Sequence, residues 1–122
     1  MSEALDLPLR EQAAAIASGD ADAAELLEAT LVRIEERNPA LNAIVETFPE
    51  RSREMLAAAP PGPLHGVPVV IKDEWPLPWR AQRFGAADML ARPEPGESGP
   101  YRALRDAGAV VVGVGNMHEL GA

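Results

Sequence analysis

The chain has 122 residues, room for one small domain that buries only roughly two thirds of its unfolded surface. Its net charge of -8 repels phosphate backbones and anionic lipid, which argues against nucleic-acid or membrane partners. With no cysteine and two isolated histidines, no disulfide framework, thiolate chemistry or metal site is expected, and nothing in the sequence asks for a cofactor.

Hydrophobic residues make up 47% of the chain, a globular value, but few are aromatic, so the core must rest on Leu, Val, Ile and Ala. The opening Met-Ser-Glu-Ala-Leu-Asp lacks a basic and an apolar signal region, and no apolar run approaches the ~20 residues needed to span a bilayer. A cytoplasmic location is the expectation.

Residues 10–18 are strong helix formers, and Gly19 stands where a left-handed helix cap would sit. Asp22 and Glu25 have the spacing of an N-terminal capping pair. Behind them Leu27, Leu31 and Ile34, with Leu26 and Thr30 alongside, form an apolar stripe on a helix that should stop near Asn38-Pro39. Glu35, Glu36 and Arg37 read as a solvated face. Residues 41–47 read as extended. Pro49 then opens a third helix that runs to Ala59 and is stopped by Pro60-Pro61-Gly62-Pro63.

Residues 63–75, Pro-Leu-His-Gly-Val-Pro-Val-Val-Ile-Lys-Asp-Glu-Trp, carry the main chemical signal. Val67, Val69, Val70 and Ile71 form a β-branched run that predicts a strand buried on both faces and delivering Lys72 at its carboxyl end. Held against apolar walls, such a lysine is pushed toward the neutral amine that can act as a base. Taken alone, the residues favour the other reading, in which Lys72 reaches solvent from the strand end, because buried lysines are rare. Asp73 follows directly, and strand alternation points it to the opposite face, so the two are not automatically an ion pair.

Pro76, Pro78, Gly85, Pro93, Pro95 and Gly96 punctuate an irregular loop draped over the strand ends. Ser98, in Gly-Glu-Ser-Gly-Pro, has the outline of a nucleophile elbow but lacks a preceding strand, so it reads as a helix N-cap. Ser2, Ser18 and Ser52 lie in the tail and in helices. Residues 101–106 predict a last helix capped by Gly108, and residues 109–114 a second buried strand. Strand, helix and strand then form a βαβ unit with parallel strands. Gly113-Val114-Gly115 is a weak match to a dinucleotide loop because the third glycine is absent. His118 reads as a surface or turn residue.

Three blocks together resemble the amino-terminal part of the amidase signature family: Gly62 through Asp73, Leu-Arg-Asp-Ala-Gly-Ala-Val from Leu104, and Gly-Val-Gly-Asn-Met-His-Glu-Leu from Gly113. The resemblance implies amide hydrolysis by a Ser, cis-Ser, Lys triad with Lys72 as its basal member and both serines outside this chain. It also implies an α/β fold: amino-terminal helices plus a βαβ unit, a partial amidase-signature sandwich lacking the later strands. The expected layout is a single partial domain, with a helical region over residues 1–62 and a strand-loop-helix-strand core over residues 63–122.

Three departures from the family stand out. The third helix is short, Gln82-Arg83-Phe84-Gly85-Ala86 replaces a Thr-rich turn ending in Gly-Ser, and Val114 and Gly115 replace the Lys and Thr of a Gly-Lys-Thr-Asn turn. The expected function is an amidase fragment, inactive alone. The alternatives are half of a split amidase, a non-catalytic binding module, and an enzyme using Lys72 in another reaction. Expected partners are an amide-containing small molecule once the site is completed, and a second copy or a complementary amidase segment covering the strands.

Overall fold

The computed structural model describes residues 3–87 and 93–121. After a 3-10 turn (Glu3–Asp6), helix α1 (Leu9–Ser18) ends at Gly19, whose φ of 83° lets its N–H reach the Ile16 carbonyl. Asp22 caps α2 (Ala23–Leu41), its Oδ1 accepting the Glu25 N–H at 2.9 Å, and Leu26, Leu27 and Leu31 are buried as the apolar stripe predicts.

Helix α2 continues past its expected stop. Pro39 removes only one donor, within the last turn, and Asn38 makes good the exit. The Asn38 side chain accepts the N–H groups of Ala43 and Ile44 at 2.9 and 2.8 Å and donates to the Ile44 carbonyl at 2.7 Å. The extended segment therefore begins later than expected, as strand β1 (Ile44–Thr47).

Helix α3 (Pro49–Ala57), strand β2 (Pro68–Lys72), helix α4 (Gly99–Asp106) and strand β3 (Val110–Gly115) complete the chain, with a short 3-10 turn at Glu119–Gly121. β3 lies in the middle, parallel to β2 and antiparallel to β1. The parallel strands and the helix between them are as expected, and the whole is a partial α/β fold of helices around a small sheet. Among the described residues of the long loop, regular pairing is confined to one bridge, between Leu77 and Arg80.

A bulge in β3 sets which side chains share a face. Val69 pairs with Val111 but Val70 with Gly113, so Val112 is an extra residue that shifts the alternation. Val111 and Val114, three apart, thus join Ile71, Phe48, Leu77 and Tyr101 in one apolar cluster, while Val110 and Val112 pack on Leu27 and Leu31 of α2. Helix α3 closes over the bulge: Ser52, fully buried, donates to the Val111 carbonyl at 2.7 Å, and the Val111 N–H points at the Met55 sulfur at 3.5 Å.

β3 is buried on both faces, as its sequence predicts, but β2 is not. Beyond the bulge, Val70 and Lys72 lie opposite Gly113 and Gly115. Two glycines offer no side chains to cover them, so Val70 remains 45% exposed. Gly113 is required because β1 comes so close: a Cβ there would stand 2.9 Å from both the Glu46 carbonyl oxygen and Ile44 Cγ2.

Replacing Ser52 with Ala removes the bond to the buried Val111 carbonyl and should lower the stability of the chain by about 1–2 kcal/mol. Denaturant unfolding of the two proteins should show this as a lower midpoint with an unchanged slope.

Candidate active site

Lys72, the only lysine of the chain, stands at the carboxyl end of β2, paired in register with Gly115. Its side chain is 47% exposed and its Nζ lies 3.3 Å from Glu74 Oε1. The expected apolar enclosure is therefore not supplied by these residues. β2 is an edge strand, and the glycine positions of β3 leave the face around Lys72 open, so the ammonium reaches solvent and a same-side carboxylate two residues on.

The alternation expected between Lys72 and Asp73 holds. Asp73 turns to the other side and is 2% exposed. Its carboxylate accepts from Arg80 Nη1 at 2.6 Å, from the Arg83 N–H at 2.9 Å and from the Gly85 N–H at 3.2 Å. Arg80, itself 9% exposed, also lies 3.4 Å from Glu46 on β1 and donates to the Ala81 carbonyl. One buried anion thus gathers the returning loop, and a paired cation with two amide donors offsets its desolvation.

That loop docks on the turn after β3. Phe84, at φ 52°, donates its N–H to the Asp73 carbonyl and accepts from the Leu120 N–H at 2.7 Å. Gly85 has φ 71°, and a Cβ on it would come 2.4 Å from the Met117 carbonyl oxygen, so the close approach and the backbone conformation both demand glycine. Sequence reasoning missed the roles of Asp73 and Arg80. The legible signal was an acidic residue placed by alternation on the buried side, with an unassigned arginine seven positions on.

The other candidates are absorbed into local structure. Ser98 Oγ accepts the Tyr101 N–H at 3.3 Å and caps α4, as expected. Ser52 is bonded to Val111, and Ser18 donates to the Ala15 carbonyl and to Asp20. Ser2 lies outside the described residues. Gly113-Val114-Gly115 is the end of β3 rather than a phosphate-binding loop opening a helix, which removes the dinucleotide reading. His118 is exposed, and His65 faces the Pro60 carbonyl at 2.9 Å. Chemically, the sheet end offers one amine on a rigid base, with each described serine hydroxyl already engaged.

Replacing Arg80 with Ala leaves a buried carboxylate short of its cation, so the stability of the chain should fall by about 3 kcal/mol. Pairing Arg80→Met with Asp73→Asn should recover much of that loss, as urea unfolding of the single and double variants would show.

A family model described as Amidase matches residues 25–122. The chain is 34% identical to an acylamidase of Rhodococcus erythropolis, covering 94% of this chain and 26% of that protein. It is also 34% identical to one subunit of a glutamyl-tRNA(Gln) amidotransferase of Halorhodospira halophila, covering 89% and 24%. Among solved structures it is similar to a 6-aminohexanoate cyclic dimer hydrolase, with a TM-score of 0.87 at 26% identity over 98% of this chain and 25% of that one. A second, described as an amidase, has a TM-score of 0.80 at 31% identity, covering 93% and 28%. The chain therefore spans about a quarter of the length of these relatives. Matched by the family model over residues 25–122 and sharing the fold of solved amidases across nearly its whole length, the chain belongs to the amidase family.

Proposed function

We propose that this chain is the lysine-bearing amino-terminal segment of a hydrolase acting on carbon–nitrogen amide bonds, and that it needs serines from outside itself to act. The observation that carries the reading is the position of Lys72, at the carboxyl end of a strand in the segment matched by the family model. In this scheme Lys72 takes a proton from a cis-Ser, which relays it from the nucleophilic Ser, while backbone N–H groups hold the oxyanion. Ser18, Ser52 and Ser98 are each committed elsewhere, which supports a nucleophile supplied by another segment.

Assembly gives Lys72 what it lacks here. A segment laid along the open side of β2 would cover Val70 and the exposed Trp75, exclude water from the ammonium and compete with Glu74 for it. Relatives named for acylamides, cyclic dimers and transfer RNA amidation share only the amide chemistry, so the reading stops at the amide bond. The exposed apolar residues beside Lys72 also favour a second reading, a binding module in which the same face meets a partner without catalysis.

The chain alone should not hydrolyse simple aliphatic or aromatic amides. Mixed with the remaining portion of a related amidase it should assemble and regain activity, and Lys72→Met should then cut turnover at least about 100-fold without preventing assembly. Assembly with full activity in the Lys72 variant would overturn the catalytic role. Assembly without activity in either form would favour the binding module.

A further inference from the structure

A groove of about 460 Å³ runs between α3 and α4, and neither Lys72 nor any residue bonded to Asp73 lines it. Its size suits a small molecule. Met55, Ala58 and Ala59 form an apolar wall, and Trp79 and Tyr101 contribute aromatic rings set edge to face with centres 5.9 Å apart. The third helix and the tryptophan of the long loop meet along it.

Two groups on residues that line this groove are uncommitted. The Arg51 guanidinium lies 5.7 Å from the centre of the Trp79 ring, and among the described residues it has no carboxylate within ion-pair distance. The Trp79 indole N–H is buried and meets no acceptor among those residues, whereas buried indole donors ordinarily find one. Arg105, stacked 5.6 Å from the Tyr101 ring centre, is by contrast held by Glu97 at 2.7 Å and Asp106 at 3.1 Å. Among the described residues, the groove thus has one free cation stacked on an indole face, beside an apolar wall.

We propose that this groove binds a small monocarboxylate with a flat apolar body. The carboxylate pairs with Arg51, and the body packs on Met55 and the two rings. Glu54 and Asp106 also line the groove, so they repel dianions and phosphates and leave the Arg51 corner as the one place for a single negative charge. The site is separate from Lys72, so it stands or falls independently of the amide-hydrolysis reading.

The test uses the whole chain with nitrogen-labelled indoles, titrated with phenylacetate and with its neutral counterpart 2-phenylethanol. The Trp79 indole resonance should shift saturably with phenylacetate while that of Trp75 does not, and the alcohol should bind about tenfold more weakly. Arg51→Gln should weaken phenylacetate binding about tenfold, and Glu54→Gln should tighten it. No saturable shift at Trp79, equal binding of acid and alcohol, or an unchanged affinity in Arg51→Gln would overturn the proposal. Arg51 is exposed, so its variant should keep the far-ultraviolet circular dichroism of the parent. If it does not fold, Glu54→Gln decides, and unchanged or weaker binding there counts against the site.

Discussion

The bulge at Val112 governs the sheet, because side chains alternate with a period of two and one added residue exchanges the faces of everything beyond it. Without it, Val114 would leave the cluster around Ile71 and Leu77, and a glycine would take its place against that core. With it, the glycines fall on the side of Val70 and Lys72. The same slip that completes the apolar core therefore opens the face on which the amine stands. Helix α3 stabilises the bulge by offering Ser52 and Met55 to the main chain of Val111.

Asp73 is the second constraint, and it depends on the first. Because Ile71 faces the core, Lys72 must face away and Asp73 must turn back, into a site where a bare carboxylate would be costly. Arg80 and the amides of Arg83 and Gly85 meet it there, and in doing so they bring residues 80–86 against the turn that follows β3. The sheet end thus combines a backbone fixed by the returning loop with an exposed amine.

Much of this was legible in the residues. Gly19, Asp22 and Ser98 act as caps because their local chemistry admits little else, and the apolar stripe of α2 and the valine run of β3 are periodic enough to show their buried sides. The position of Lys72 came from the strand pattern, and its meaning from the family resemblance. What could not be read were features set by distant partners. Asn38 compensates for Pro39 through contacts across the turn to β1, the bulge appears only when the strands are paired, and Asp73 finds Arg80 through a loop with no periodicity. The expectation of a buried Lys72 failed for the same reason: a β-branched run shows that a strand is apolar, not which neighbours cover it, and the neighbours opposite Val70 and Lys72 are glycines.

The central claim is that Lys72 is open in this chain and becomes enclosed when the rest of an amidase domain is laid against it. Because the chain has only one lysine, its acylation by a small amine-reactive reagent can be followed by peptide mass spectrometry without ambiguity. Lys72 should be modified readily in the chain alone and much more slowly once the chain is assembled with the remaining portion of a related amidase. Equal rates before and after a demonstrated assembly would contradict the account.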